Sequence, residues 1–366
     1  MRRILIALLI FSVTFSTQPT FALHTLDKYA SAKQLSGPGL LVLNPDGSVL
    51  VEKQPDSLRV PASVLKLLTM AVVLENLSAD GRYVTTVWRT ANKKEFVIRG
   101  ALDPFLSVNR SVSDKYGHGY LMGLLSRAGA LDFRNITVKY SGLYPGDVKG
   151  LAVAFKQRKI KAKLVKVNGI EANNISVEEL ATLTSKPLSK MVSHTILWSD
   201  NAVADRLAKA VTRQLGNSTN SKGLTSTYKS ELAKLNVSTE GLAVFDGSGL
   251  SKENRVSART IVELLKAIRN DPRFAAIYEG LPISGETGTL VKRFEKAPGA
   301  IGHVHAKTGW INRSVTMAGY AESGDKEFVF AILADNITPN LRSRNAARRA
   351  MDKLLEAVVI GSHQTL

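Results

Sequence analysis

Pro61-Ala-Ser63-Val-Leu-Lys66 is the stretch that decides the fold of this 366-residue chain, because it opens an apolar segment that runs to about Leu77. Apolar residues in this segment recur near helical spacing, which predicts a helix with Ser63 in its first turn. Ser63 and Lys66 are three residues apart, so both side chains project from one face of that helix. A hydroxyl and an amine placed in this way can act as a nucleophile and its base.

Two further polar strings follow, Ser199-Asp200-Asn201 and Lys307-Thr308-Gly309. Together the three strings carry what serine acyl transfer needs: a nucleophile with an amine, a hydroxyl with a carboxamide, and a cation for an anionic substrate. The S-x-x-K spacing recurs twice elsewhere and is weak alone, but S-D-N and K-T-G occur once each, and only Ser63 precedes both. In this order the three strings form the motif set of serine β-lactamases and penicillin-binding proteins.

Ser63 is the candidate nucleophile and Lys66 its candidate base. The amine can take the serine proton only when it is neutral, whereas free lysine titrates at about 10.4. Burial and a second cation both lower the pKa of a lysine, and Lys307 would supply that cation if the strings converge. The first turn of a helix also favours a developing oxyanion. The alternative is that Ser63 only starts the helix and Lys66 is solvated.

The S-D-N string also has two interpretations. In the catalytic one, Ser199 shuttles a proton and Asn201 holds the peptide group of the substrate, while Asp200 only turns the chain. In the other, Ser199 or Asp200 simply caps the helix that begins near Asn201.

The K-T-G string follows a predicted strand at residues 302–306. Lys307 and Thr308 are predicted to face a substrate carboxylate. Gly309 would let a substrate backbone approach the strand edge. The backbone N–H of Trp310, paired with that of Ser63, would complete an oxyanion hole.

Three other patterns fit known sites poorly. His303 and His305 share one strand face but lack a third ligand at suitable spacing, so no metal site and no cofactor is predicted. Asp246-Gly-Ser-Gly249 resembles a nucleophile elbow only loosely, because G-x-S-x-G is not met. Residues 231–236 resemble the E-x-x-L-N element of class A β-lactamases with one residue too many, so no deacylation base of that type is evident.

The first residues predict a signal peptide spanning residues 1–22. Met1-Arg-Arg is followed by an apolar run over residues 4–13 and by small and polar residues up to Ala22. That run is shorter than the span of about 20 residues that a membrane helix needs, and no later stretch is apolar enough. We therefore expect export to the periplasm, a mature chain starting near Leu23, and no transmembrane anchor.

The composition is that of a globular protein with 44% hydrophobic residues, no cysteine and a formal net charge of +18. The charge becomes +16 when Arg2 and Arg3 leave with the signal peptide. Such a balance favours anionic partners, and no nucleic-acid motif is present, so cell-wall peptides or anionic lipid head groups are the expected ones. The alternative is that the charge only keeps the protein soluble.

The chain pattern predicts a core interrupted by an inserted module. Strand, turn and strand signals at residues 40–51 and again at residues 302–333 predict one sheet built from both ends of the chain. Residues 81–167 are rich in alternating, β-branched segments and form the predicted strand-rich module. Helical patterning returns at residues 177–183 and 188–198. The predicted core thus comprises residues 23–80 and 168–362.

Three longer strings extend the similarity. Asp246-Gly-Ser-Gly-Leu-Ser251 is followed after two residues by Asn254-Arg255, and Leu281-Pro precedes Gly285-Glu-Thr-Gly-Thr-Leu290. Gly100-Ala-Leu-Asp-Pro-Phe-Leu106 lies within the module. On these strings and the three motifs, the chain resembles the D-alanyl-D-alanine carboxypeptidase/endopeptidase family of class C low-molecular-mass penicillin-binding proteins. It departs from the family in Leu102, which replaces a glycine, and in a module shorter than that of the larger members.

The resemblance implies an α+β fold with a serine β-lactamase-like core: an antiparallel sheet flanked by helices, beside a helical subdomain. It also implies acylation of Ser63 by penicillin and action on peptidoglycan stem peptides that end in D-Ala-D-Ala, with β-lactams as inhibitors. Two other hypotheses remain, a serine β-lactamase and a catalytically silent peptidoglycan-binding protein.

Overall fold

The structure is a computed structural model that describes residues 20–361. Nearly all of the predicted signal peptide, residues 1–22, lies outside this range, and the first described helix begins at Thr20. No helix within residues 20–361 combines the length and the apolar character needed to cross a bilayer.

The described residues form twelve strands and twelve α-helices, and five of these helices follow one another between β9 and β10. The strands are β1 (Gly39–Leu43), β2 (Val49–Lys53), β3 (Val84–Arg89), β4 (Glu95–Arg99), β5 (Leu106–Ser107), β6 (Gly119–Tyr120), β7 (Asn135–Ser141), β8 (Lys161–Lys166), β9 (Glu178–Thr184), β10 (Val304–Ile311), β11 (Ser314–Ser323) and β12 (Lys326–Ala334). The helices are α1 (Thr20–Ala30), α2 (Leu65–Asn76), α3 (Arg110–Tyr116), α4 (Leu121–Arg127), α5 (Pro145–Gln157), α6 (Gly169–Ile175), α7 (Leu188–Trp198), α8 (Asn201–Gln214), α9 (Ser221–Lys234), α10 (Ala258–Ile268), α11 (Ala275–Glu279) and α12 (Leu341–Gly361).

The central sheet has the order β10-β11-β12-β1-β2, with every neighbouring pair antiparallel. The predicted joining of both chain ends in one sheet is therefore confirmed. Successive side chains of a strand point to opposite faces, so Val315 and Met317 pack toward α1 and α12, whereas Ala318 and Tyr320 pack toward α2 and α10. Helices on both faces explain why β11 is buried along almost its whole length.

Helix α2 is the central element of the helical subdomain. Its residues from Leu65 to Leu74 are all buried, and it packs against α7, α8 and α9. A helix that is apolar on all sides belongs in the interior of a protein. Any polar side chain on α2, such as Lys66, therefore has to find its partners inside the protein.

The second sheet has the order β8-β7-β4-β3-β9 and is mixed, with β4–β7 and β7–β8 parallel. The helix predicted at residues 177–183 is wrong, because this segment forms β9 and pairs with β3. Glutamate, leucine and alanine favour helix locally, but pairing with an open sheet edge overrides that preference. The limits of 81 and 167 for the inserted module stay a prediction, and the β3–β9 pairing argues for an end near Thr184.

Candidate active site

Ser63 lies in a 3₁₀ turn, Ala62–Val64, that leads directly into α2. The residue before it, Ala62, has a φ of 48°, a left-handed conformation that costs a non-glycine residue energy. Gly249 packs against this turn so closely that a Cβ at position 249 would lie 1.9 Å from the Ala62 carbonyl oxygen. The nucleophile therefore sits on a constrained turn that its surroundings hold in place.

Strand β11 holds the segment before Ser63 through two hydroxyls. Ser314 Oγ donates to the Val60 carbonyl oxygen at 2.7 Å, and Thr316 Oγ1 donates to the Pro61 carbonyl oxygen at 2.7 Å. Both hydroxyls are on buried side chains. These bonds fix the nucleophile turn against the central sheet, because breaking either one would cost a buried hydroxyl its hydrogen-bond partner.

The Lys66 amine is fully buried and contacts three oxygens. It lies 2.9 Å from Ser63 Oγ, 2.7 Å from Asn201 Oδ1 and 2.6 Å from the Ser248 carbonyl oxygen. The structure thus brings the S-x-x-K and S-D-N strings together, and the interpretation of Lys66 as a solvated side chain is wrong.

Burial lowers the pKa of Lys66 to about 7, against the opposing attraction of the Asp246 and Asp200 carboxylates. The sequence predicts two causes, burial and a second cation at Lys307. Burial is confirmed, whereas Lys307 is not among the causes of the lowered pKa of Lys66. An amine with a pKa near 7 is neutral in a large fraction of molecules at neutral pH, as a base for Ser63 must be.

Lys307 is also fully buried, and its amine donates to the Thr308 carbonyl oxygen at 2.8 Å. Burial, and after it the charge of Lys66, hold the pKa of Lys307 well below its usual value. The Thr308 hydroxyl lies 2.7 Å from that of Thr289. Lys307 and Thr308 therefore converge with Lys66, as the motif order predicted.

The K-T-G string lies inside β10, at the edge of the central sheet, rather than after a strand that ends at residue 306. A Cβ at Gly309 would lie 2.2 Å from Thr316 Oγ1 and 2.9 Å from the backbone nitrogen of Ser63. Only glycine fits so close to the nucleophile. Trp310 follows it, 38% exposed, with the Arg344 and Arg348 guanidinium groups each 4.9 Å from its ring centre.

The S-D-N string spans the turn after α7 and the first residue of α8. Ser199 adopts a left-handed conformation with a φ of 60°, and Asp200 Oδ1 accepts the backbone N–H of Val203 at 3.0 Å. Asp200 is thus the cap of α8, which the capping interpretation predicted. Within residues 20–361, the Ser199 hydroxyl makes no hydrogen bond to Ser63 or Lys66, so the predicted proton shuttle has no direct contact in this structure.

The loop that follows Asp246 contributes a part of the site that the sequence pattern did not indicate. The Asp246 carboxylate accepts backbone N–H groups of Ser248, Gly249 and Ser251 at 2.6–2.7 Å, which directs the Ser248 carbonyl toward Lys66. Burial alone would raise the pKa of Asp246, but the hydrogen bonds from Ser248 and its neighbours hold that pKa below its usual value. The D-G-S-G-L-S string is the sequence signal for this loop, and it supplies a backbone carbonyl to the site rather than a nucleophile.

Glu231 of the residue 231–236 segment serves the structure of the protein. Its carboxylate accepts a hydrogen bond from Asn76 Nδ2 at 2.8 Å and pairs with Lys234 at 2.6 Å. The buried carboxylate thus ties α9 to the end of α2. These contacts agree with the expectation that this segment is no deacylation element.

A constrained serine, a buried amine of lowered pKa and an edge strand carrying K-T-G define a serine hydrolase of the penicillin-binding class. A model of the D-Ala-D-Ala carboxypeptidase 3 (S13) family matches residues 147–358. The chain belongs to this family, and the enzymes of the family are D-alanyl-D-alanine carboxypeptidases.

Several known proteins are similar over most of the chain. Carboxypeptidase DacB of Mycolicibacterium smegmatis is 27% identical over 334 residues, which cover 77% of this chain and 73% of that protein. Penicillin-binding protein 4 (dacB) from Haemophilus influenzae has a TM-score of 0.70 at 16% identity, covering 94% of this chain and 99% of that chain. The predatory endopeptidase Bd0816 from Bdellovibrio bacteriovorus has a TM-score of 0.65 at 17% identity, covering 89% and 93%. The predicted β-lactamase-like, penicillin-binding fold is confirmed.

Proposed function

We propose that this enzyme removes the terminal D-alanine from peptidoglycan stem peptides through an acyl-enzyme on Ser63. The observation that carries the proposal is the Lys66 amine, buried, with a pKa of about 7 and 2.9 Å from Ser63 Oγ. In the first step Ser63 Oγ attacks the carbonyl carbon of the penultimate D-alanine while its proton passes to Lys66. The C–N bond then breaks, D-alanine leaves with a proton, and water hydrolyses the ester.

The remaining site residues are assigned by where they lie. Lys307 and Thr308 would bind the terminal carboxylate, and the N–H groups of Ser63 and Trp310 would stabilise the oxyanion. Asn201, which accepts a hydrogen bond from Lys66, would position that amine and the substrate amide together. Ser199 would reach the leaving amine only with substrate bound.

Loss of the Lys66 proton also bears on Lys307. Burial is the main cause of the lowered pKa of Lys307, and the Lys66 charge is the second. A neutral Lys66 removes that repulsion, which raises the pKa of Lys307 while Lys66 acts as a base. A substrate carboxylate against Lys307 would favour the same distribution of charge.

The direct test is release of D-alanine from a pentapeptide that ends in D-Ala-D-Ala, measured by mass spectrometry. Wild-type enzyme should release one D-alanine per peptide, and Ser63→Ala should release none. Ser226→Ala is a matched control, because Ser226 begins the second S-x-x-K string and is exposed on α9. Release by Ser63→Ala, or none by wild type, would contradict the proposal.

Endopeptidase action is a second candidate function, since cutting a crosslink between D-alanine and a diamino acid uses the same acyl transfer. Bd0816, of the same fold, is named an endopeptidase. Digestion of crosslinked muropeptides separates the two activities. A β-lactamase would instead hydrolyse nitrocefin. If the protein were a catalytically silent binding protein, Ser63→Ala would bind peptidoglycan as well as the wild type does.

We further propose that the enzyme acts in the periplasm after removal of residues 1–22. The basic, apolar and small-residue order of that segment supports export. The net charge of +16 that remains after loss of Arg2 and Arg3 favours contact with anionic cell-wall polymers. Mass spectrometry of the mature N-terminus tests the cleavage site, and a start far from Leu23 would contradict it.

A further inference from the structure

Three metal-ligating side chains meet beside the S-D-N turn. His118 lies in the inserted module between α3 and β6, His194 lies on α7, and Asp200 precedes α8. Their ligand atoms all lie within 4.8 Å of one another. Sequence spacing did not indicate this set, because its members come from distant segments and do not include His303 or His305.

The separations fit a tetrahedral metal ion. The two Nε2 atoms are 3.4 Å apart, and they lie 3.7 Å (His118) and 3.8 Å (His194) from Asp200 Oδ2. Bonds of about 2.0–2.1 Å in a tetrahedron place ligand atoms about 3.3–3.4 Å apart. Hydrogen bonds are shorter, at about 2.7–3.2 Å. The distances between the three ligand atoms are thus too long for good hydrogen bonds. They are only slightly longer than the distances between ligand atoms in a zinc site.

The surroundings hold the ligands in orientation. The Phe105 ring stacks on His118 at 3.9 Å between ring centres and meets the edge of His194 at 4.9 Å. Asp200 uses Oδ1 to cap Val203, which leaves Oδ2 on the histidine side.

We propose that His118, His194 and Asp200 bind one Zn²⁺-type divalent ion, with water as the fourth ligand. The ion joins the inserted module to the turn that carries Asn201, whose Oδ1 lies 2.7 Å from Lys66 Nζ. Its function is to position that turn, and its binding is independent of the proposed peptidase reaction. The alternative is a metal-free cluster that only packs α7 against the module.

The test is titration of the full chain, stripped with a chelator, with Zn²⁺ by calorimetry and with Co²⁺ by visible absorption. We expect one equivalent per chain and the intense cobalt bands of tetrahedral coordination. His118→Ala and His194→Ala should each weaken zinc binding by at least about 100-fold. Loss of a residue that only hydrogen-bonds to a metal ligand costs less than this. His305→Ala is the matched control, since His305 lies on β10 against Tyr278 and Glu322 and should bind normally.

Thermal unfolding is a second measurement, needed because a substitution can weaken zinc binding by destabilising the folded protein. Zinc at about 100 times its Kd should raise the Tm of the wild type by about 3 °C. The Tm of His118→Gln, which keeps a polar side chain, should be insensitive to zinc. No stoichiometric binding by the wild type, or unchanged binding by both His118 variants, would overturn the proposal.

Discussion

The Lys66 amine lies 2.9 Å from Ser63 Oγ, and among its hydrogen-bond partners within residues 20–361 only Ser63 can also donate a proton. Its other two partners, Asn201 Oδ1 and the Ser248 carbonyl, can only accept. A neutral amine has two N–H donors and one lone pair, so two donors satisfy the fixed acceptors and the lone pair faces the serine proton. Three fixed positions thus direct the only basic electron pair of Lys66 at the nucleophile.

Replacing Lys66 with alanine should remove this base. We expect the second-order rate of acylation by a fluorescent penicillin to fall by about 10²–10⁴-fold, the usual contribution of a positioned base. Lys229→Ala, the exposed lysine of another S-x-x-K string, should acylate at the wild-type rate. Equal rates for Lys66→Ala and Lys229→Ala would show that Lys66 is no base.

The pH dependence of acylation should report the Lys66 pKa of about 7. The reactive form is neutral, so the rate should rise with pH through 7 and then level off. At pH 6 about one amine in ten is neutral, which predicts about a tenth of the plateau rate. Stopped-flow acylation between pH 5 and 9 checks this, and a rate that falls as pH rises from 6 to 8 would contradict it.

Gly309→Ala should block the approach of β10 to the nucleophile. The added Cβ would meet Thr316 Oγ1 at 2.2 Å and the Ser63 nitrogen at 2.9 Å. We expect acylation to fall by about 10²–10³-fold, as when one oxyanion donor is lost. Gly169→Ala is the control, because no atom lies within 4 Å of its added Cβ. Normal acylation by Gly309→Ala would mean that β10 does not form the oxyanion site.

Asp246→Ala tests the loop that directs the Ser248 carbonyl at Lys66. Loss of its hydrogen bonds should lower the free energy of unfolding by about 1–3 kcal/mol and slow acylation. Asp46 provides a matched control for Asp246. In both cases Oδ1 accepts the N–H and the hydroxyl of the serine two residues further on, but Asp46 lies in an exposed turn. Denaturant unfolding of Asp46→Ala should change little. Equal acylation by the two variants would leave Asp246 without a role in the site.

The three motifs indicated which segments meet around Ser63, although local geometry alone places only Lys66 beside it. Ser63 and Lys66 share one helix face, and the K-T-G string can come to lie beside them only by strand pairing, which its position near the last strands indicated. The sequence could not show that Ser248 offers a backbone carbonyl, because any residue has one. The helix predicted at residues 177–183 is wrong, because pairing of β9 with β3 overrode helix propensity.

The measurement we would make first is incubation of the mature chain with fluorescent penicillin, followed by denaturing electrophoresis and mass mapping of the adduct. We predict one stable adduct on the peptide that contains Ser63, absent from Ser63→Ala and retained by Ser226→Ala. An adduct that persists in Ser63→Ala would place the nucleophile elsewhere. No adduct, with no β-lactam consumed, would mean that these residues do not form an acylating site.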